Sequence, residues 1–379
     1  MRARRPSFSH PVSRPRLALR RQRGAAIITA LLVVTLSAIL VAGVLWRQQV
    51  QIRRIQNQRL LTQAQWVARG AVDWTRLILR SQADTAPTVT YLGGIWAVPI
   101  AKTRLSDFIG KSGGADAGES AQTYLSGSIE DAQAKFNLHN LVAIPAPGLL
   151  QVDQTETAAF ARLLSLLGLD GGLAKTVAVQ MRASLMQSAT RFQNPLSTTL
   201  GSAAAPQPQP GGAVGAGNVT DQPGLEGGDD ESADARPLQF TSVDSLLNVP
   251  GFTPEIVARL RPFVTVLPTR TPVNMNTAPA EVIAAIVPGM SLSSAQAMVS
   301  RRESAFYINT ASVQLALQGS GAALPPGTDL SQIPMDVTTS YFFVHGRVQY
   351  ERAEVDRTTL IYRDPLTHTT RVVRVRDQL

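Results

Sequence analysis

Cysteine is absent from the 379 residues, which excludes disulfide bridges and thiolate metal sites but fits any cellular compartment. Residues 25–46 contain no charged side chain, and no proline interrupts residues 25–86. The sequence also lacks a nucleotide-binding loop, a zinc motif and a nucleophile-elbow serine, and its four histidines (His10, His139, His345 and His368) are scattered along the chain. No catalytic constellation emerges, so we expect a protein that is not an enzyme.

An apolar run, AAIITALLVVTLSAILVAGVLW, occupies residues 25–46. As a helix it spans roughly 33 Å, enough to cross a bilayer core. Arg23 and Gly24 lie directly before it, whereas an ordinary secretory signal is cut after its apolar core. The arrangement resembles a type IV prepilin leader, in which a peptidase cuts after the glycine and leaves the helix on the mature protein. We therefore predict cleavage between Gly24 and Ala25, which removes residues 1–24.

A twin-arginine export signal at Arg20 and Arg21 is the alternative. Such signals prefer apolar residues where Arg23 and Gly24 follow in this chain, so the prepilin leader is favoured.

The positive charge belongs mostly to the predicted leader. The formal net charge is +9, but residues 1–24 contain eight arginines and no acid, which leaves about +1 for the mature chain. A nucleic-acid-binding function therefore loses its main support. The arginine excess before the apolar run predicts a single-pass inner-membrane protein with a cytoplasmic N-terminus and a periplasmic C-terminal domain.

Beyond the membrane segment, residues 47–86 continue a helical pattern. Apolar residues recur at spacings of three and four, at Leu60, Ala64, Val67, Ala71, Trp74 and Ile78, and Pro87 marks an end. One continuous helix and an anchor followed by an unrelated helix fit this periodicity equally well.

The rest of the chain predicts an antiparallel sheet interrupted by a helical domain. We expect the first part of the sheet domain at residues 87–150, with hairpins at 88–100 and 126–138 that turn at Gly93-Gly94 and Glu130-Asp131. Its C-terminal strands are expected at 336–379, near 341–350, 357–362 and 370–376, with a turn at 352–356 between the first two. An inserted helical domain is predicted at 151–335, with helices at 155–167 and 173–186. Within it, residues 201–237 hold eight glycines and five prolines and are predicted to form a flexible loop.

Two segments of the helical domain resemble a helix-hairpin-helix repeat, each placing a Pro-Gly turn (Pro250-Gly251 and Pro288-Gly289) between apolar helices. DNA-binding versions usually carry a second glycine, which lets backbone amides approach a phosphate. Here that position is Thr253 or Ser291. Five arginines could still contact phosphates, although a solvated helical surface explains them equally well: Arg259, Arg261, Arg270, Arg301 and Arg302. We favour structural packing.

Several sequence blocks together resemble the minor pseudopilin K family of type II secretion systems over nearly the whole mature chain. They are Arg23-Gly24, Trp46–Gln49 (WRQQ), residues 64–68 (AQWVA), 131–141 (DAQAKFNLHNL) and 273–278 (VNMNTA), and the later Arg301-Arg302. The chain departs from the pattern in its long Gly/Pro segment and in Ala25, where major pilins carry a bulky apolar residue.

The resemblance implies an α+β, pilin-like fold: a long N-terminal transmembrane and amphipathic helix packed on an antiparallel sheet, with a large helical insertion. It also implies a place at the tip of the pseudopilus, where the protein would act in pseudopilus initiation and export across the outer membrane. Most pilin-like subunits have a glutamate five residues into the mature helix, which meets the N-terminal amine of a neighbour. Here that position is Thr29. Because an unpaired carboxylate in lipid is costly, its absence suggests a subunit with no upper neighbour.

The partners that the resemblance implies are the minor pseudopilins I and J, other pseudopilins, prepilin peptidase, secreted substrates and inner-membrane lipid. No cofactor is expected. The acidic run Asp229-Asp230-Glu231 with Asp234 could supply oxygen ligands to calcium, although such runs in flexible loops usually only bind water; the resemblance favours calcium in the helical domain without naming its ligands. The alternative function is a membrane-anchored, competence-like DNA-uptake protein that uses the hairpin repeat.

Overall fold

The computed structural model describes residues 25–109, 123–146, 149–199, 239–322 and 324–378. The chain divides into two compact units, Met1–Thr62 and Gln63–Leu379. The predicted cleavage residue Gly24, the Gly/Pro-rich segment at 201–237 and the acidic run from Asp229 to Asp234 lie outside the described residues.

Helices and short strands alternate through the described part of the chain. The helices are α1 (Ala25–Thr85), α2 (Leu105–Ile109), α3 (Gln154–Leu166), α4 (Leu173–Thr199), α5 (Pro254–Leu260), α6 (Ala280–Ile286), α7 (Leu292–Ser304) and α8 (Thr310–Gln318). The strands are β1 (Ile100–Arg104), β2 (Thr123–Asp131), β3 (Phe136–Asn137), β4 (Val142–Ala146), β5 (Leu149–Val152), β6 (Val264–Thr265), β7 (Val273–Asn274), β8 (Met335–Asp336), β9 (Tyr341–Tyr350), β10 (Ala353–Arg363) and β11 (Thr370–Gln378).

Helix α1 is a single helix of 61 residues, which decides between the two readings of its periodicity. Polar side chains in its apolar part are satisfied locally, because Thr35 and Ser37 donate to the carbonyl oxygens of Leu32 and Val33. In the second part of α1, from residue 60 onward, the buried residues are mostly small: Ala64, Ala68, Thr75, Leu79 and Ala83. Apart from Ala64, the predicted stripe lies beside this buried row and is half-buried. Small side chains at the contact let a helix approach its neighbour closely, so the bulkier ones lie on the flanks.

The main sheet has five antiparallel strands in the order β1-β2-β9-β10-β11. Strands β2 and β9 are neighbours although about 200 residues separate them, so the whole chain between Asp131 and Tyr341 is an insertion into the sheet. One face of the sheet packs on α1 through a cluster formed by Leu79, Trp96, Phe342, Val344 and Ile361. The predicted fold class is confirmed, while the helix-hairpin-helix character of the insertion stays a prediction.

Both predicted N-terminal hairpins are wrong. Residues 88–91 form no strand, Ile95–Ala97 is a 3-10 turn that buries Trp96, and β1 begins only at Ile100 and pairs with β2. The second predicted turn, at Glu130 and Asp131, is the end of strand β2, and β3 pairs in parallel with β6 instead of with β2. In both places a tertiary contact, the burial of Trp96 or of the Asp131 carboxylate, overrides the local turn signal.

The C-terminal strands match their predicted positions closely, with one exception. Residues 353–356 were expected in a turn but belong to β10, and the turn is confined to Glu351 and Arg352, where Glu351 has φ 49°. The predicted helices at 155–167 and 173–186 correspond to α3 and to the first half of the longer α4.

Among the described residues, the helices of the insertion share a large hydrophobic core with β3, β4, β6 and β7. Each Pro-Gly segment is a tight turn between two helical segments, in which Gly251 (φ 90°) and Gly289 (φ 76°) adopt a conformation that favours glycine. The next residues but one, Thr253 and Ser291, cap α5 and α7 by accepting hydrogen bonds from the backbone amides of Ile256 and Ser294.

Candidate functional site

A buried carboxylate, Asp131, lies where the sheet meets the insertion. Its side chain is 2% exposed and accepts four hydrogen bonds: from the Gln133 amide (2.8 Å), Asn274 Nδ2 (2.8 Å) and the hydroxyls of Thr277 and Thr339 (2.6 Å each). Burial raises the pKa of Asp131, and these hydrogen bonds oppose the rise. The carboxylate thus connects the end of β2, strand β7 and the segment that leads into β9.

A buried arginine, Arg363, connects the same region to α1. Its guanidinium donates to the carbonyl oxygens of Leu79 (3.1 Å) and Thr339 (2.9 Å) and to the Thr90 hydroxyl (3.1 Å), and it lies over the Phe342 ring. Burial lowers the pKa of Arg363 to about 10, and the attraction of Asp131 opposes that shift. Thr339 bonds both side chains, so the two charges stabilise one shared network.

Side-chain amides extend the network into the insertion. Asn140 donates to the Thr271 carbonyl oxygen and accepts from its amide, and Asn276 makes the same pair of bonds with Tyr307. Each asparagine therefore satisfies both polar groups of one backbone residue, as a neighbouring strand would. Asn137 accepts from the amides of His139 and Leu267 and donates to the Thr269 carbonyl oxygen.

These contacts explain why the blocks at 131–141 and 273–278 have their composition. Their side chains form buried hydrogen bonds that link the sheet to the insertion. The sequence did not predict this role, because the hydrogen-bond partners are far apart in the chain. The one available signal was the unusual density of Asp, Asn, Gln and Thr among apolar residues.

The arginines proposed as phosphate contacts are mostly engaged within the protein. Arg302 is buried and donates to the Met275 carbonyl oxygen, while Arg259 donates to that of Leu167. Arg261 and Arg270 form ion pairs with Asp244 and Asp153. The caps at Thr253 and Ser291 also occupy backbone amides near the two turns, so the geometry favours the packing interpretation over a DNA interface.

The first unit presents an apolar helix surface. Every residue from Ile27 to Arg59 is exposed, Thr29 among them, and in the described part of the chain one helix is long and apolar enough to cross a membrane. Ala25 is the first residue of that helix. The structure therefore places Ala25 and Thr29 one turn apart at the start of the predicted span.

An apolar groove of about 370 Å³ opens in the second unit between α1 and the sheet. Its floor contains two glycines, Gly127 and Gly346, which face each other across β2 and β9. A Cβ at Gly346 would enter open space, whereas a Cβ at Gly127 would lie 2.5 Å from the His345 carbonyl oxygen. Apolar residues line the walls: Trp74, Ile78, Ile95, Val98, Leu125, Ile129 and Val344.

Two buried titratable groups of the insertion keep a side-chain atom without a hydrogen-bond partner among the described residues: Glu156 Oε2 and His139 Nδ1. Burial, and then the charge of Asp153, raises the pKa of Glu156 to about 7, while Arg270, Asn140 and Arg162 oppose the rise. Burial lowers the pKa of His139.

The other two described histidines lie elsewhere. His345 Nε2 is 3.3 Å from Glu130 and His368 Nδ1 is 2.8 Å from Asp84. No group of three potential metal-ligating side chains occurs within the described residues, and the acidic run proposed for calcium lies outside them.

Comparison with known proteins adds the following findings. Two family models, both described as type II secretion system (T2SS), protein K, match residues 134–269 and 273–331 and together cover just over half of the chain. The chain is 29% identical over 272 residues to type II secretion system protein K of Pseudomonas aeruginosa, covering 70% of this chain and 68% of the relative. It is 23% identical over 355 residues to the protein K of Pectobacterium carotovorum, covering 90% and 93%.

Among solved structures, a chain from the GspK-GspI-GspJ complex of the enterotoxigenic Escherichia coli type 2 secretion system matches with a TM-score of 0.55 at 18% identity. The match covers 86% of this chain and 99% of that chain. At this identity the match shows a shared fold.

Proposed function

Since the chain belongs to the type II secretion system protein K family and is a membrane-anchored minor pseudopilin, we propose that it acts at the tip of a periplasmic pseudopilus. There it takes part in pseudopilus initiation and in protein export across the outer membrane, as an assembly subunit without catalytic activity.

The observation that carries this proposal is the two-part helix α1. Its first part is apolar and fully exposed, which suits lipid, while its second part is buried along one side against the sheet. A subunit built in this way can leave the membrane only as part of an assembly that covers the apolar surface, because exposing that surface to water is unfavourable.

Processing and orientation follow from the leader. We propose that prepilin peptidase cleaves between Gly24 and Ala25, and that the protein crosses the inner membrane once with its N-terminus cytoplasmic and its C-terminal domain periplasmic. The eight arginines before the span support this orientation.

The tip position rests on Thr29 and on the size of the insertion. A glutamate at position 29 would need a partner amine in lipid, and the threonine removes that need. The insertion between Asp131 and Tyr341 makes up more than half of the chain and would block the addition of another subunit above it. The minor pseudopilins I and J are the proposed partners, and the solved relative comes from a complex with proteins of those names.

One experiment tests both processing and partners. The full chain, co-expressed with the pilin-like subunits I and J and the prepilin peptidase of its own system, should be recovered with Ala25 at its N-terminus and should co-purify with both subunits. Gly24→Val should leave an unprocessed precursor in the membrane, because a larger side chain blocks the peptidase pocket that accepts glycine. Gly43→Val is the matched control, since it changes an exposed glycine of α1 that has open space around it.

A mature N-terminus after residue 38 or 43 would indicate ordinary signal peptidase and refute the pilin-type leader. A salt-dependent affinity for DNA without co-purification of pilin-like subunits would favour the DNA-uptake alternative.

A further inference from the structure

We propose that the arginines directly after the membrane span form a basic collar that binds the phosphate groups of anionic phospholipids. The collar consists of Arg47, Arg53, Arg54 and Arg59, all on α1 within the first unit. This inference rests on the membrane-anchored placement of α1 and adds a lipid class to it.

The four collar arginines carry positive charges that have no acidic partner among the described residues. The first acidic residue of the whole sequence is Asp73, so residues 47–72 carry only positive charges. All four collar arginines are exposed, and no hydrogen bond or ion pair to their side chains exists within the described part of the chain. By contrast, Arg76 on the same helix pairs with Asp73 at 2.9 Å. The collar therefore has no counter-charge among the described residues.

The angular distribution of the collar points to a ligand that surrounds the helix. At about 100° per residue, Arg54 lies about 20° from Arg47 around the axis, while Arg53 and Arg59 lie about 120° away on opposite sides. An acidic partner helix would select a stripe along one side. Arg53 lies about 120° around the helix from Arg47, so the arginines do not form one stripe, and this fits a layer of headgroups that contacts several sides of the helix.

The position of the collar along the axis matches the depth of the headgroup layer. Trp46 ends the apolar run and is 71% exposed, and tryptophan is enriched at this level of the bilayer. Arg47 follows at once, Arg53 and Arg54 lie about 9–11 Å further along the axis, and Arg59 about 18 Å. The headgroup region is about 5–8 Å thick on each side, and long arginine side chains extend back toward the interface. Arg47, Arg53 and Arg54 therefore reach the phosphates, whereas Arg59 lies roughly 10 Å beyond the layer and adds to the positive charge facing it.

The chemistry of the guanidinium group favours phosphate. Its planar donor fork forms paired, charge-assisted hydrogen bonds with phosphate oxygens. A zwitterionic phosphatidylcholine headgroup offers the same phosphate beside a compensating cation, whereas phosphatidylglycerol offers a net negative charge. We therefore expect selectivity for phosphatidylglycerol that weakens as salt screens the charges.

The test measures which lipids contact the embedded protein. The mature chain, which begins at Ala25 and lacks the eight arginines of residues 1–24, is reconstituted into vesicles of phosphatidylcholine and phosphatidylglycerol. A trace of spin-labelled phosphatidylcholine or phosphatidylglycerol is added in separate samples, and electron spin resonance gives the motionally restricted fraction of each lipid. Wild-type protein should prefer phosphatidylglycerol roughly fivefold, a factor that corresponds to about one arginine at the membrane surface. High salt should reduce this preference.

The variant with all four collar arginines changed to glutamine should lose most of the preference. A charge-matched control replaces four exposed arginines of the second unit with glutamine (Arg80, Arg104, Arg301 and Arg352) and should keep it. Equal restriction of both lipids by the wild type, or equal selectivity in wild type and collar variant, would overturn the proposal. Absence of any restricted lipid would instead show that α1 is not in the bilayer, and the membrane-anchored placement would fail first.

Discussion

The clearest quantitative prediction concerns the removal of the Asp131 carboxylate. Asp131→Ala leaves four donors without their acceptor. Two of them keep another acceptor, because Asn274 Nδ2 also donates to the Thr90 carbonyl oxygen (3.1 Å) and the Thr277 hydroxyl lies 3.3 Å from the carbonyl oxygen of Asn274. The Gln133 amide and the Thr339 hydroxyl have no other acceptor among the described residues.

Each buried donor that loses its partner costs about 1–3 kcal/mol, so the two together predict a loss of roughly 2–6 kcal/mol in the free energy of unfolding. This is a large share of the about 5–15 kcal/mol that stabilises a typical domain. The loss of a negative charge near the buried Arg363 adds to the cost in the same direction.

The assay is urea unfolding of the detergent-solubilised full chain, followed by tryptophan fluorescence. Asp336→Ala is the matched control: Asp336 is a half-buried aspartate that accepts only local bonds, from the Val337 amide and the Thr338 hydroxyl. We expect it to lose clearly less stability than Asp131→Ala. A loss below about 1 kcal/mol for Asp131→Ala, or equal losses for both variants, would refute the view that Asp131 holds the junction together.

Three further predictions concern the groove, the insertion and the membrane helix. Gly346→Ala should raise the free energy of unfolding by about 0.5–1 kcal/mol, because the added methyl group enters open space. Gly127→Ala should lower it by about 1–3 kcal/mol, because its Cβ would lie 2.5 Å from the His345 carbonyl oxygen. Urea titrations compare the two variants, and equal changes in the free energy of unfolding would contradict this geometry. Burial raises the pKa of Glu156 to about 7 in the folded protein, from about 4.5 in the unfolded chain. As the pH rises from 4.5 through 7, the unfolded chain loses this proton first, so the protein loses up to about 3 kcal/mol of stability. Glu156→Gln should therefore flatten this part of the curve of unfolding free energy against pH. Thr29→Glu should impair pseudopilus initiation, since an unpaired carboxylate near the start of the membrane span is unfavourable, although it costs less than the about 2.5–3.5 kcal/mol that applies at the bilayer centre. Normal secretion by this variant in a strain lacking the wild-type gene would show that position 29 is a neutral lipid-facing site.

Some elements could be predicted from the sequence because their cause is local. The absence of proline from 25–86 and the uncharged run at 25–46 predicted helical structure with a membrane-spanning start, and the structure shows that this range is the single helix α1. The aromatic and β-branched residues of 341–350 predicted β9 at its observed bounds, since such residues favour strands. The helical region between the first and last strands was also predicted, because helix periodicity and Gly breakers are local signals.

The pairing of the strands could not be predicted in the same way. Gly93-Gly94 and Glu130-Asp131 have the composition of turns, yet neither joins two paired strands. A turn signal states where the chain can reverse, whereas the partner of a strand depends on which surfaces become buried together.

The tertiary structure alone decided what the polar blocks do. Asp131 meets Asn274 across 143 residues and Thr339 across 208, and Arg363 meets the Leu79 carbonyl oxygen across 284. Hydrogen-bonding groups of this kind become stable in the interior only when every partner arrives, so their role depends on the complete fold. The sequence by itself determined the membrane helix, the strand-forming C-terminus and the family pattern, because these follow from residues close together in the chain. The role of the polar blocks at 131–141 and 273–278, which link the sheet to the insertion through buried hydrogen bonds, became visible only in the tertiary structure. That role depends on contacts between residues more than a hundred positions apart.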